Sequence, residues 1–317
     1  MGQKVPGTLP PMADRLYTRT LYPPDSHQMH PLLAAALTKA PFSSPMDDAA
    51  IQTHCFLPEP PVIHSARWLH RQLTGAMIEE RLMGFIDVAV GYDHATQHLV
   101  GDRPIGLLRF LALPQDFTLS GEIARLLLKG AEEFWWGHGV RRVRAFSYST
   151  GYPPFQLAAG LMPSTWEDHH RWLNQAGYRP TERYYCLTYP LKRMGREDVP
   201  AGRFTLFPES DESGVNFQVY ENDEVRMAAT RMVERQVLQP RDANPVAGVI
   251  ELIVASAWRR RGVGRWLLRR MINDALLRGN RTLALFLNHT NQAGLGLCRQ
   301  IGFEEMNYRG YTLEKQL

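Results

Sequence analysis

Residues 252–268 read LIVASAWRRRGVGRWLL: an apolar β-type run, an Arg/Gly turn, then an amphipathic helix. Gly262 and Gly264 let the backbone turn tightly, so that the free N–H groups of a helix start point at one anionic group. Arg259, Arg260, Arg261 and Arg265 surround those amides. Strand, turn and helix in this order build a phosphate-binding site. Two phosphate-binding devices are excluded by spacing. A P-loop needs G-x-x-x-x-G-K-[ST], and the stretch has no lysine. A dinucleotide fingerprint needs a third small residue where Leu267 stands, and only about fifty residues follow, too few for a doubly wound sheet.

A second stretch follows, with LALFLNHTNQAGLGLCRQIGF at 283–303, in which Leu283, Leu285 and Leu287 alternate as in a strand. Together the two stretches resemble the GNAT superfamily of acyl-CoA-dependent N-acetyltransferases. Arg259, Gly262 and Gly264 fill its [QR]-x-x-G-x-[GA] motif, and Leu252 and Val254 its L-x-V strand pair. Asn291, Gly294, Leu297, Gly302 and Phe303 fall without a gap on its later pattern N-x-x-A-x-x-L-Y-x-x-x-G-F, with Gly in place of Ala. One position departs: Cys298 stands where the family has the tyrosine that protonates the departing thiolate.

The resemblance implies acetyl-CoA as co-substrate, with Leu252, Ile253 and Val254 pairing with the pantetheine arm. It places Arg259, Arg260, Arg261, Gly262, Val263, Gly264 and Arg265 on the pyrophosphate, and Asn291 beside the cofactor. Acid–base roles transfer less directly. Gly248 occupies the place of the family's strand glutamate; Glu251 lies three residues on, where strand alternation turns it to the other face. His289, with an ordinary pKa near 6.5, and Cys298, with an ordinary pKa near 8.5, complete the candidates. Water, Tyr308 or a side chain from the first half of the chain are the other sources of the missing acid.

Structural readings stand beside these. Val263, Leu267, Leu268, Met271, Ile272, Ala275 and Leu276 recur at helical spacing, so the segment is a core helix whatever it binds. Arg269, Arg270 and Arg278 read as its solvated face. Cys298 reads equally as a small core residue and His289 as a loop histidine.

At 317 residues the chain exceeds one average domain, and 44% hydrophobic with 21% charged residues describes an ordinary globular protein. No run reaches a membrane-spanning length, and the opening residues lack the apolar core of a signal peptide, which points to a cytoplasmic protein. Of the 36 basic residues only five are lysine, against a net charge of +4. The arginines are spread among acids without a nucleic-acid motif, so nucleic acid is not an expected partner. Cys55, Cys186 and Cys298 are too far apart for a zinc knuckle and odd in number for a disulfide framework. His94 and His98 lie in a polar connection without a third ligand, and Glu167 to His170 read as the acidic first turn of a helix, so no metal site is expected.

The C-terminal part reads as strand (Phe204–Phe207), hairpin (Val215–Glu234), strand (Ala247–Val254), helix, strand, helix, strand. Only PESDESG separates its first two strands, where the family places two helices that wall the acceptor side; another part of the chain, or a second subunit, has to supply that wall. The first part echoes the second. Residues 120–146 repeat the helix-then-strand layout of 262–286, and 172–191 mirror 297–317. Before them come a helix over Ala66–Ile78 and strands over Leu82–Tyr92 and Ile105–Leu113. In place of the Arg/Gly turn this part has LPQDFTLSGEIA, with one glycine and with Asp116 and Glu122, so its cofactor chemistry is lost. Its insertion at 147–168 adds aromatic surface facing the second unit or a substrate.

The expected fold is therefore α+β: two tandem GNAT-like units, each a mixed, mostly antiparallel twisted sheet flanked by helices. Residues 1–60 form a Pro-rich extension enclosing a helix at His30–Lys39, 61–192 the degenerate unit and 203–317 the cofactor-binding unit. The expected function is acetyl transfer to an amine of a small molecule or protein, by a monomer or homodimer. A non-catalytic acyl-CoA-binding or regulatory protein and an RNA-binding protein are the alternatives.

Overall fold

The computed structural model of the chain describes residues 16–60, 66–93, 103–114, 117–148, 150–211 and 214–317; His94, His98 and Asp116 lie outside them. The N-terminal half supplies β1 (Leu16–Thr20), α1 (Ser26–Thr38), α2 (Asp48–Ile51), β2 (Arg67–Ile78), β3 (Arg81–Tyr92), β4 (Ile105–Ala112), α3 (Phe117–Gly137), β5 (Arg142–Ala145), β6 (Met162–Pro163), α4 (Glu167–Gln175) and β7 (Arg179–Pro190). The C-terminal half supplies β8 (Phe204–Asp211), β9 (Gly214–Glu221), β10 (Val225–Arg235), β11 (Val246–Val254), α5 (Val263–Leu277), β12 (Thr282–Asn288), α6 (Gln292–Ile301) and β13 (Glu304–Gln316). No described helix is long and apolar enough to cross a membrane.

All the strands join one sheet in the order β1-β2-β3-β4-β5-β13-β7-β12-β11-β10-β9-β8, with β6 beside β13. Each half is an antiparallel run followed by one parallel step over a helix, β4 to β5 across α3 and β11 to β12 across α5. The last strand of each half then crosses to the other. β7 pairs with β12 from Tyr184–Asn288 to Pro190–Thr282, and β13 pairs with β5 from Ala145–Leu313 to Arg142–Gln316. Each half thus completes the backbone hydrogen bonding of the other, which a buried strand edge requires.

The segment 66–78, expected as a helix, is the strand β2. Its apolar residues are not alternating because Leu73 to Met77 are buried on both faces, and a bulge at Leu69 sets Trp68 and Leu69 side by side. Leu69, Leu73 and Met77, each four residues apart, imitate a helical stripe. The short strand expected at Phe204–Phe207 runs on to Asp211; Pro208 is tolerated because β8 is the sheet edge. Only two residues separate β8 from β9, so no helices wall this half.

The covering comes instead from the N-terminal half. α5 and α6 bury Leu268, Met271, Ile272, Leu295 and Cys298 on one face of the sheet, against Val249, Leu283 and Leu285. On the opposite face Phe42, Leu157, Ala159 and Leu161 pack on Val233, Val246, Ile250, Ala284 and Phe286. The wall includes three successive non-glycine residues in the left-handed region, Gln156, Leu157 and Ala158 at φ 54°, 54° and 70°. Each such residue costs about 1–2 kcal/mol, and hydrogen bonds to Phe42 and Ser43 hold the turn in place.

Both parallel steps carry the same irregularity. Opposite β10 the register slips so that Ile250 is the extra residue of β11; opposite β3 it slips so that Arg109 is the extra residue of β4. In each case this is the first residue beyond the parallel pairing, which ends at Val249–Leu285 in one half and at Leu108–Ala145 in the other. Arg109 is fully buried. It bonds Asp87 at 2.9 Å and the carbonyl of Thr150 at 3.0 Å, and lies over the rings of Trp68 and Tyr152. Asp87 also accepts from Arg71 at 3.0 Å and Tyr152 at 3.0 Å. Removing the shared anion leaves two buried guanidiniums unbalanced. Asp87→Asn is expected to cost about 3–5 kcal/mol in urea unfolding; a loss below about 1 kcal/mol would contradict this account of the core.

Candidate functional site

The Arg/Gly turn closes the far end of β11. Arg260 and Gly262 both take left-handed conformations, at φ 63° and 87°, and fold the chain back into α5. Gly262 is the residue before the helix and offers no capping side chain. The first amide of this helix with a backbone acceptor is Trp266, bonded to the Gly262 carbonyl at 3.0 Å. Among the described residues no group caps the outward amides of Val263, Gly264 and Arg265, the arrangement that favours an anion. A Cβ at Gly262 would meet nothing within 4 Å, and one at Gly264 would touch Leu297 and Val254 at ordinary distance. Only Gly262, with its positive φ, is demanded by the backbone; at Gly264 the missing side chain leaves the amides uncovered.

Three of the four arginines are anchored around those amides. Arg259 donates to the Val254 carbonyl at 3.0 Å, Arg261 stacks over Trp258 at 4.8 Å, and Arg265 donates to Gln300 on α6 at 2.7 Å. Arg260 stays exposed at the tip of the turn. Of the outer arginines, Arg278 is exposed and pairs with Asp274 at 2.6 Å, and Arg270 lies 3.8 Å from Glu197.

Beyond Val249 the strands β11 and β12 part, so residues Ile250 to Val254 keep only β10 as partner. No described strand pairs with the other edge of β11 between Ile250 and the turn, where Arg259 occupies the Val254 carbonyl. Leu252 and Val254 pack toward α5, while Ile253 faces away at 51% exposure. The bulge also corrects the expectation for Glu251. Glu251 pairs with Arg231, whose face is that of Val233 in the wall-side core, whereas Val249 pairs with Met232 on the α5 side. The extra residue restores the phase, so Glu251 and Gly248 share the wall face. A side chain at Gly248 would displace Leu157, whose Cδ1 lies 2.7 Å from where a Cβ would stand.

The remaining candidates are dispersed. His289, at the end of β12, has both its backbone N–H and its Nδ1 directed at the Arg183 carbonyl, at 2.8 and 3.1 Å. Asn291 caps α6, its side-chain oxygen accepting from the Gly294 amide at 2.9 Å. Cys298 is buried between α6 and the sheet, and burial pushes its thiol up to about 11. Glu251 lies on the opposite face from Cys298.

A residue not singled out as a candidate reaches the opening from the N-terminal half. Tyr148 donates its hydroxyl to the Ile250 carbonyl at 3.1 Å, and its ring stacks on Tyr184 at 5.3 Å and 7°. Burial, then the charge of Glu251, raise its phenol. The insertion 147–168 was legible as aromatic surface facing the second half; which of its rings touches β11 depends on the exchanged strands. Elsewhere on this face Tyr184 donates to Glu182 at 3.0 Å, and Tyr308 meets Gln156. Among the described residues no three potential metal ligands come together.

Residues 156–303, just under half of the chain, match the model of the acetyltransferase (GNAT) family. No curated protein matches the sequence significantly. Among solved structures, the chain is similar to a GCN5-related N-acetyltransferase from Sphaerobacter thermophilus, with 15% identity over 98% of this chain and 97% of that one and a TM-score of 0.61. It is similar also to a tandem GNAT protein from the clavulanic acid biosynthesis pathway, with 14% identity over 95% and 98% and a TM-score of 0.67. An N-acetyltransferase from Anabaena variabilis gives 9% identity, 95% and 72% coverage and a TM-score of 0.57. At these identities the likeness is one of fold, and it extends over nearly the whole chain.

All three cysteines are buried, and burial raises Cys55 to about 12 and Cys186 further still. At about pH 8 the reactive thiolate is therefore scarce in the folded state. A chromogenic disulfide reagent is expected to find no fast thiol in the native protein and three after unfolding in guanidinium; rapid reaction of a native thiol would contradict the placement of Cys298.

Proposed function

Because residues 156–303 belong to the acetyltransferase (GNAT) family and the whole chain folds as a tandem member does, we propose that this protein is an acetyl-CoA-dependent N-acetyltransferase. In this reading residues 203–317 hold the acyl donor, and 61–192 form a degenerate unit that walls the acceptor side. The observation that carries it is the uncapped start of α5 at Gly262–Arg265, set at the end of a strand that has parted from its neighbour. The outward amides and Arg259, Arg260, Arg261 and Arg265 take the pyrophosphate. The free edge of Leu252, Ile253 and Val254 takes the amides of the pantetheine arm, as an added strand does. Asn291 supports the cofactor side by fixing the start of α6.

The amine acceptor, of a small molecule or a protein, enters from the face of Glu251. Its nitrogen attacks the thioester carbon at the gap beside Ile250, and backbone N–H groups at the bulge stabilise the oxyanion. Glu251 is the carboxylate on that face able to take the proton an ammonium must lose. In the N-terminal half the equivalent gap is filled by the Arg109 side chain with Asp87, so a thioester has no room there. Two observations favour a second reading, a non-catalytic acyl-CoA-binding protein: Glu251, His289 and Cys298 do not converge, and Leu157 occupies the space over Gly248.

Calorimetric titration with acetyl-CoA separates these readings from a protein that binds no acyl donor. Wild type is expected to bind in the submillimolar range, and Gly262→Asp with Gly264→Asp on the order of 100-fold more weakly, since two carboxylates would face the pyrophosphate. Equal affinities, or no wild-type binding below about 1 mM, would reject the donor site. Thiol release in the presence of amines then decides between transferase and binder.

A further inference from the structure

We propose that the outer edge of β2 is a docking groove for an extended peptide carrying an acidic and an apolar residue two positions apart. The two halves of the sheet differ at this edge. In the C-terminal half the outermost strand, β8, pairs along the whole of β9, from Phe204–Glu221 to Asp211–Gly214. In the N-terminal half the outermost strand, β1, pairs with β2 only from Leu16–Ile78 to Thr20–Thr74. A last bond runs from the Leu21 amide to the Leu73 carbonyl; Pro23 and Pro24 follow, and neither has an amide hydrogen to extend the ladder. No described strand pairs with residues 67–72 on this side, while β3 holds their other side. Because the Leu73 carbonyl points outward, alternation points the amide and carbonyl of Arg71 outward as well. Along this edge runs a groove of about 600 Å³, within the range of ligand sites, walled by Leu21, Phe56, Leu57, Trp68 and Leu69. Leu57 and Leu69 are exposed. An unpaired strand edge beside exposed leucines is a template for an added strand.

Charge selects the sequence of that strand. Asp87 is shared by Arg71 and Arg109, so two guanidiniums meet one carboxylate. Arg109 is sealed in the core against the rings of Trp68 and Tyr152, whereas Arg71 lines the groove. Arg71 also donates to the carbonyls of Cys55 and Leu57, yet its Nε–H meets no acceptor among the described residues. The surplus positive charge of the cluster is therefore carried at the groove. Glu59, the one acid among the lining residues, is exposed, where water and salt screen it. An acidic side chain laid beside Arg71 supplies the second carboxylate that the pair of guanidiniums lacks. Bulged Leu69 turns Trp68 to the same face as Arg71, since the two pair with Gly91 and Ala89. The next residue on that face of the added strand, two positions from the acid, therefore meets the apolar ring of Trp68. The residue between them faces the side of His70 and Gln72 and is polar.

A bead library of acetylated, amidated peptides of about six residues, the length of the unpaired edge, tests the groove on the full-length protein. Labelled wild type is sorted against Leu69→Glu, which places a carboxylate on the exposed rim and leaves the core intact. Beads that prefer wild type are expected to carry Asp or Glu two positions from an apolar residue; no such preference overturns the proposal. A selected peptide is resynthesised and titrated by calorimetry, with an expected Kd below about 1 mM, and weaker binding overturns the proposal. N-methylation of its amides one at a time is expected to abolish binding at every second position, where the N–H faces β2, and to spare the positions between; losses without that alternation overturn strand addition. Arg71→Gln leaves Asp87 paired one to one with Arg109, and replacing the peptide acid by its amide removes the partner charge. Each change is expected to weaken binding on the order of tenfold, and both together no more than one alone; independent losses overturn the pairing of the acid with Arg71. The library and the methylation scan decide the matter even where Arg71→Gln does not fold. Phenylacetate that displaces the peptide at equal concentration would assign the groove to a small organic acid, and a wild-type dimer that Leu69→Glu converts to monomer would assign it to a second copy; either overturns the proposal.

Discussion

The hydrogen-bond ladders of β7 and β13 are the constraint on which the molecule depends. Each half ends in a single strand, and that strand is inserted between two partners that both belong to the other half. Neither sheet can be completed alone without leaving a row of buried N–H and C=O groups unpaired, which costs as much as the lost bonds. The exchange fixes the distance and angle between halves. It therefore decides which N-terminal residues stand over β11: Leu157 above Gly248, and Tyr148 at Ile250. A C-terminal half lacking helices between β8 and β9 obtains its wall through this ladder.

The two halves show how one backbone irregularity takes two fates. The bulge that follows the parallel pairing opens a gap in each half of the sheet. In the N-terminal half the extra residue is arginine, and its charge is neutralised inside the gap by Asp87, itself shared with Arg71 and Tyr152. A buried charge demands such a network, and the network fills the space. In the C-terminal half the extra residue is isoleucine, whose side chain packs sideways into the wall-side core and leaves the edge of β11 open toward the turn. Cationic side chains then ring the outward amides at the start of α5. The asymmetry between closed and open gap is thus set largely by Arg109 against Ile250.

The sequence made the local chemistry legible and left the three-dimensional exchange hidden. The turn at 259–265, α5, β12 and α6 follow from glycine placement and from side chains at helical or strand period, because those signals act over a few residues. The missing acceptor wall was also legible, as the shortness of 208–214. What failed was period alone. β2 imitated a helix because it is buried on both faces and carries a bulge at Leu69. Glu251 was assigned the wrong face because alternation counts residues and the Ile250 bulge adds one. Tyr148 and the pairing of β7 with β12 depend on contacts between residues about a hundred positions apart, which no local pattern encodes. The insertion's aromatic composition marked the segment but not the ring.

Under the proposed function one of two related gaps takes an acyl donor, between the unpaired edge of β11 and the start of α5, while the other is closed by its own side chains. Backbone hydrogen exchange with and without acetyl-CoA tests it most directly, since both gaps are read in one experiment. Bound donor is predicted to slow exchange across Ile250–Val254 and Arg260–Arg265 and to leave Arg109–Ala112 unchanged. Slowed exchange at Arg109–Ala112, or at neither place while acetyl-CoA is bound, would contradict the account.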